Sequence, residues 1–197
     1  MPPKGRLPPG LVYEARRTIV NPEIKDSIFF TKYGAETNGE YTELIVTLSP
    51  NGGNPPHYHT SYTETFTVLD GDLGVVLKGG SKLILKPGES RTIAINEEHS
   101  FFNPSSEATI KFVTTIRPAH IGFEQSLYIL YGMAADGLCD DKGVPKSFLH
   151  TCIIVCMSDM WLAGTAFSIM APVIKAVGAY AKWRGIEDSL LKKYWDA

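Results

Sequence analysis

Three histidines and one glutamate in the first half of the chain have the types and spacing of a metal site. His57 and His59 are two residues apart, Glu64 follows closely, and His99 lies further along. Side chains two apart on a strand project from the same face, so both imidazoles can reach one ion. Three imidazoles and a carboxylate suit Fe, Mn, Ni, Cu or Zn, and a six-coordinate ion keeps two positions open. We therefore expect one divalent transition metal as the cofactor.

Glu64 strengthens this prediction because its neighbours indicate that it is buried. In segment 63–69, Glu64 shares one face with Phe66 and Val68, and threonines occupy the other. An ionised carboxylate on an apolar face costs on the order of several kcal/mol unless it is paired or bound to a cation. The separation of His59 and Glu64 is odd, so we expect a turn near 60–62 that redirects the chain.

Most of the first 118 residues have the pattern of a β protein. Segments rich in Val, Ile, Thr, Tyr and Phe, separated by Gly, Pro, Asn or Asp, predict strands near 11–20, 27–33, 40–48, 63–69, 73–78, 81–86, 90–95 and 107–116. Alternation in 41–48 and 107–116 points the even-numbered positions inward. Asp70-Gly71 and the segment 78–81 are predicted hairpin turns. Many short strands at close spacing indicate a sandwich or barrel.

The ends of the chain differ from this pattern. The proline-rich first ten residues predict an extended arm. Beyond residue 120 the apolar residues recur at helical spacing, with Pro172 and Gly185 as predicted breaks. We therefore divide the chain into a barrel with its N-terminal arm, 1–118, and a C-terminal helical extension, 119–197.

The motifs around the metal-ligand candidates resemble those of the cupin superfamily. The matching residues are His57, His59, Glu64 and Gly71 for the first motif, and Gly88, His99 and Asn103 for the second. In the second motif the usual Pro-x-Gly is replaced by 94–96, which leaves the shape of one turn open. The resemblance covers roughly residues 40–116 and implies a mainly β, double-stranded β-helix (jelly-roll) barrel with the metal inside, followed here by helices.

Several further residues are candidates for a substrate pocket. They are Tyr41, Tyr62, Phe66, Phe101, Asn103 and Phe112. Aromatic side chains in a small barrel usually fill the core, and this is the favoured interpretation for most of them. For Asn103 we expect a role in a turn or in orienting a ligating histidine. Cys152 and Cys156, near His150, are interpreted as ordinary buried thiols.

The ligand set leaves several functions open. Within the cupins it resembles that of small dioxygenases acting on flavonol-like, diketone or thiol substrates, of sugar-phosphate isomerases and of non-enzymatic binders. The motifs lack the basic cluster that a phosphate would require, and the apolar barrel face favours an apolar or aromatic substrate. Our first hypothesis is an oxygen-dependent oxidoreductase, a dioxygenase with Glu64 as ligand or catalytic base. The alternatives are a non-catalytic binding or sensing cupin and a metal-dependent isomerase.

Charge and cysteine content bear on partners and location. The net charge is −2 without a long basic run, so nucleic acid is not an expected partner. Three cysteines and a start without an apolar leader fit a cytoplasmic protein. Cupins are commonly dimers, and by analogy we expect a homodimer.

An apolar run near the C-terminus allows three interpretations. From 151 to 174 the only charged residue is Asp159. Helices packed on the barrel or in a dimer are favoured, attachment to a membrane surface through the basic and aromatic flank is the second interpretation, and a membrane span is the third.

Overall fold

The computed structural model describes residues 6–197, in which two antiparallel sheets are followed by helices. The strands are β1 (Thr18–Asn21), β2 (Asp26–Lys32), β3 (Thr42–Leu48), β4 (His57–Tyr58), β5 (Thr63–Asp70), β6 (Leu73–Leu77), β7 (Lys82–Leu85), β8 (Ser90–Ile93), β9 (His99–Phe102), β10 (Ile110–Arg117) and β11 (Trp161–Leu162). One sheet has the order β1-β2-β3-β10-β5-β8, and the other has the order β11-β4-β9-β6-β7. This confirms the predicted jelly-roll barrel with a helical extension.

The inward faces of the barrel follow the alternation in the sequence. The even-numbered positions of β3, from Thr42 to Leu48, are buried, and so are those of β10 from Ile110 onwards. In β5 the buried positions are Glu64, Phe66 and Val68. Both sheets therefore contribute to one apolar core, and β5 carries a carboxylate into it.

The first predicted strand and the first predicted hairpin are wrong. Segment 11–20 begins as a short helix, α1 (Pro9–Val12), because proline at its start fixes a helical φ, and only its end belongs to β1. The Asp70-Gly71 turn connects β5 to β6, which lie in different sheets. Gly71 has a φ of +74° and packs against Ile110, so the turn carries the chain across the barrel. The predicted hairpin at 78–81 does join the paired strands β6 and β7.

Four longer helices form the extension. They are α2 (Ile121–Ala135), α3 (Phe148–Ser158), α4 (Thr165–Trp183) and α5 (Ile186–Tyr194). Gly185, with a φ of +72°, separates α4 from α5 as predicted. Pro172 is not a break, because it lies inside α4. The residue four positions earlier, Ser168, is exposed, so water can replace the bond that the proline cannot donate to its carbonyl.

The structure describes part of the predicted N-terminal arm and all of the apolar run at 151–174. Residues 1–5 of the predicted arm lie outside the described residues, and Arg6 forms ion pairs with Asp188 and Asp196. No helix between residues 6 and 197 combines the length and apolar character required to cross a membrane. The spanning interpretation is therefore wrong for this part of the chain.

Hydrogen bonds join the extension to the barrel near the start of α2 and after the end of α3. β11 pairs with β4, so the extension supplies an edge strand to the second sheet. At the start of α2, Glu124 Oε1 accepts hydrogen bonds from Gly34 N at 2.7 Å and from Thr42 Oγ1 at 2.5 Å. Its other oxygen, Oε2, is buried and has no hydrogen-bond partner in the described part of the chain. Burial raises the pKa of Glu124 to about 7, although these two bonds oppose the shift.

We predict that Glu124→Gln changes the pH dependence of stability. A folded-state pKa raised above the unfolded value means that the wild type loses stability between about pH 4.5 and 7 and then levels off. The glutamine side chain cannot ionise, so the variant does not lose stability in this way as the pH rises. Its stability relative to wild type should rise by about 2 kcal/mol from pH 5 to pH 8. Thermal melts across this range test the prediction, with the exposed Glu107→Gln as control; parallel curves for Glu124→Gln and wild type would contradict it.

Candidate metal centre

The barrel brings the four metal-ligand candidates together. His57 lies in β4, opposite His99 in the neighbouring β9, while Glu64 reaches the same point from β5 in the other sheet. One ligand atom from each of His57, His59, Glu64 and His99 lies within 4.8 Å of those of the other three, and each residue is at most 5% exposed. We refer to these four residues as the His/Glu cluster.

The turn expected between His59 and Glu64 is present, and Asp159 of the extension holds it. The amides of Thr60 and Ser61 both donate to Asp159 Oδ2 at 2.8 Å. The two hydroxyls donate to the same carboxylate at 2.8 and 2.6 Å, as does Trp161 Nε1 at 2.7 Å. Because five donors converge on it, this carboxylate fixes the point at which the chain passes from one sheet to the other.

Each of the three histidines in the His/Glu cluster has one ring nitrogen within hydrogen-bond distance of a main-chain carbonyl. Nδ1 of His57 lies 2.8 Å from Pro55 O, and Nδ1 of His99 lies 3.0 Å from Glu97 O. Nδ1 of His59 lies 3.0 Å from the carbonyl of Asp159. A carbonyl oxygen only accepts, so each Nδ1 carries the proton and a neutral ring presents the lone pair of Nε2.

The Nε2 atoms of His59 and His99 lie close to the carboxylate of Glu64, and this supports a bound cation. Nε2 of His99 lies 2.9 Å and Nε2 of His59 lies 3.4 Å from Glu64 Oε2. Nε2 of His59 is buried, and among residues 6–197 no atom forms a hydrogen bond with it. Two acceptors at 2.9 Å require a proton or a cation between them. A divalent metal satisfies all these groups at once, so the residues fit the ion that the sequence predicts.

The charges of the cluster also suit a cation. Burial alone raises the pKa of Glu64, but the neighbouring imidazoles of His59 and His99 more than offset this effect, and the pKa of Glu64 falls below its usual range. Burial, together with the neighbouring imidazoles, lowers the pKa of His57 to about 3. The pKa of His99 is raised by its bond to Glu64, despite burial. An ionised carboxylate beside a neutral His57 is the protonation state in which both can bind a metal.

Four of the aromatic pocket candidates lie beside the His/Glu cluster. Tyr62 is fully buried, stacks on His59 with ring centroids 4.3 Å apart, and donates its hydroxyl to Ser158 O at 2.8 Å. Phe66 lies 6.1 Å from the ring of His99 and packs edge-on against Phe101 and Phe112. These side chains form an apolar wall beside the cluster.

Tyr41 and Asn103 have other contacts. The ring of Tyr41 lies under the guanidinium of Arg117, 4.5 Å from it. Asn103 Nδ2 donates to the carbonyls of Leu48, Ser49 and Ala108, and its Oδ1 accepts from Ser105 N. Asn103 thus holds a turn together, which is one of the two roles expected for it.

The unusual turn of the second motif keeps the backbone shape that a glycine would give. Asn96 has a φ of +64°, a left-handed conformation that asparagine tolerates better than most residues. Its amide donates to His59 O at 2.8 Å. Asn96 therefore connects this turn to the segment that carries His59.

Two cavities lie beside the cluster without being lined by it. A cavity of about 540 Å³ is bordered by His120, whose ring is 5.2 Å from that of Tyr62. Tyr62 contacts both His120 and His59, and so lies between this cavity and the cluster. An apolar cavity of about 410 Å³ lies between Trp161, Phe148 and α4.

Asp159 and Trp161 are the site residues that the sequence interpretation missed. Asp159 is recognisable as the single charge in a long apolar run, and such a charge requires partners when it is buried. The sequence does not reveal that those partners are Thr60 and Ser61, about a hundred positions earlier.

The fold and the cluster define a cupin-type barrel with a buried metal-ligand set. Residues 44–116 match the family model of the cupin domain, and this part of the chain is a cupin domain. A search of curated proteins found no match.

Solved structures to which this chain is similar cover about half of it. KdgF from Halomonas sp. is 17% identical, over 49% of this chain and 82% of that one, with a TM-score of 0.43. The polyketide cyclase RemF from Streptomyces resistomycificus is 26% identical, over 47% and 64%, with a TM-score of 0.42. A predicted oxalate decarboxylase from Thermotoga maritima is 19% identical, over 48% and 81%, with a TM-score of 0.44.

We predict about one equivalent of a divalent transition metal in the wild type and a sharp loss in His57→Ala or His99→Ala. An ion that binds only the folded state stabilises it, by about 4 kcal/mol at a thousandfold excess over Kd. Elemental analysis and thermal melts with and without a chelator measure both effects. His150→Ala, outside the cluster, is the control. A metal-free wild type that melts at the same temperature as the variants would refute the prediction.

A second prediction concerns Asp159→Asn. The amide nitrogen cannot accept, so some of the bonds to Thr60 and Ser61 are lost and His59 becomes less well positioned. We expect metal affinity to fall roughly 10- to 100-fold. Metal titration with a competing chelator measures it, and Asp141→Asn in an exposed loop is the matched control. Unchanged affinity in Asp159→Asn would show that the carboxylate does not support the site.

Proposed function

We propose that the protein is a metal-dependent cupin enzyme that oxidises a small apolar or aromatic molecule with dioxygen. The observation that carries the proposal is the convergence of three imidazoles and one ionised carboxylate inside an aromatic wall. A divalent transition metal bound there would supply a Lewis acid and, if redox-active, a centre for electron transfer.

The surroundings of the cluster support an apolar substrate. Phe66, Phe101 and Phe112 pack together beside it, with Tyr62 on the other side. The charges that shift the pKa values of His57 and Glu64 come from the cluster itself. A phosphate ester would require lysine or arginine at the site, so these surroundings favour an oxidation over a sugar-phosphate isomerisation.

Glu64 is the residue we assign to proton transfer. Its Oε2 lies 2.9 Å from His99 Nε2, so a proton taken from a substrate at this oxygen can be shared with the imidazole. Its lowered pKa keeps it ionised, which is the form that can bind a metal ion. Glu64 is 5% exposed, so this position is shielded from solvent.

The closure of the site favours a second candidate, a non-catalytic cupin in which the metal stabilises a binding or sensing domain. The four residues of the cluster are between 1% and 5% exposed, and Tyr62 is fully buried. Catalysis requires a substrate to reach the cluster, and on the side of the larger cavity Tyr62, bound to Ser158 O, lies in between. A structural or sensing metal requires no such access.

Oxygen uptake distinguishes the two candidates. Protein loaded with Fe, Mn, Ni or Cu is assayed against flavonols, diketones and thiols with an oxygen electrode. We expect turnover with at least one metal, and a loss of at least about a hundredfold in Glu64→Gln. Glu107→Gln, on an exposed loop, should retain full activity. If no metal supports turnover while the wild type is still stabilised by metal, the non-catalytic candidate is correct.

A further inference from the structure

The outer face of α4 is apolar, which is unusual for a helix at the surface of a protein. Ile169, Val173, Ala176, Tyr180 and Trp183 follow one another at helical spacing, and we call them the α4 stripe. Ile169 is 72% exposed and Trp183 is 78% exposed. The opposite side of α4 packs against α3 through small residues, with Gly178 against Cys156. The bulky apolar side chains therefore face outward.

This apolar surface continues beyond the stripe. Phe167 and Met170, also on α4 and exposed, line the cavity of about 410 Å³ together with Val144 and Phe148. Phe148 is 54% exposed. The stripe and the mouth of this cavity thus form one extended apolar surface, of the kind that marks an interaction site.

The charge of the same region identifies the occupant. Residues 142–184 contain five basic residues, Lys142, Lys146, Lys175, Lys182 and Arg184. Their one acidic residue, Asp159, is buried and fully engaged by the turn at 60–61. The remainder of the chain has 14 Lys and Arg against 20 Asp and Glu. The segment that carries the apolar surface is therefore basic in an otherwise acidic protein, and of its five basic residues Lys182 is paired with Glu187 at 3.4 Å.

We propose that this surface docks on an anionic phospholipid bilayer. The α4 stripe would lie at the boundary of headgroups and acyl chains, with Tyr180 and Trp183 at headgroup level. The lysines and Arg184 would contact lipid phosphates and serine carboxylates. A second copy of the chain would instead bring two basic surfaces against each other, which like charges oppose.

Vesicle flotation of the full-length protein tests the proposal. Vesicles of pure phosphatidylcholine are compared with vesicles containing phosphatidylserine at about one lipid in three. The stripe variant is Ile169→Gln/Val173→Gln, and its control is Leu69→Gln/Ile84→Gln, which removes two exposed apolar side chains from the barrel. Lys142→Gln/Arg184→Gln tests the charge.

We expect the wild type and the barrel control to float with the anionic vesicles and to be released by high salt. The stripe and charge variants should bind at least about tenfold more weakly. The fluorescence of the exposed Trp183 should shift to the blue on binding, and Trp183→Phe should abolish this shift. Failure of the wild type to float, or equal binding by the stripe and control variants, would overturn the proposal. A different result would assign the surface to a second copy of the chain: the wild type is a dimer that does not float, and the stripe variant is a monomer.

Discussion

The contact between Asp159 and the turn at Thr60 and Ser61 is the interaction on which the candidate site depends. The first sheet supplies Glu64 and the second supplies His57 and His99, so the turn between β4 and β5 decides whether their side chains meet. No strand that the structure describes offers a partner to the amide of Thr60 or Ser61, and Asp159 satisfies both amides. The carbonyl of the same residue binds His59 Nδ1, so one residue of the extension fixes the turn and orients a ligand candidate.

Buried carboxylates in this barrel are stabilised in two different ways. Glu64 faces imidazoles, which favour its ionised form and lower its pKa. Glu124 and Asp26 face mainly neutral donors, so burial dominates and raises the pKa of Asp26 to about 6 and that of Glu124 to about 7. The comparison isolates the effect of the partners: of these three acids, the one with basic partners is the one whose pKa lies below its usual value.

The sequence was sufficient for features that depend on local periodicity or on motif spacing. Alternation along β3, β5 and β10 identified the buried faces, and the odd separation of His59 and Glu64 implied the turn between them. Features that depend on distant partners were not accessible. β11 has two residues and shows no periodicity, and Asp70-Gly71 has the composition of a hairpin turn although it crosses between sheets. Pro172 has the chemistry of a helix break, but its position on an exposed helix makes the lost bond inexpensive.

Residues 159–162 connect the cluster to the outer surface of the extension. Asp159 contacts His59, and Trp161 and Leu162 pair with Tyr58 and His57 on β4. The same two β11 residues line the apolar cavity against α4. A shift of α4 that moves β11 therefore also moves the backbone that carries His57. Thermodynamic linkage then requires reciprocity: if a partner on the α4 face changes the affinity of the cluster for its metal, the metal changes the affinity for that partner by the same factor.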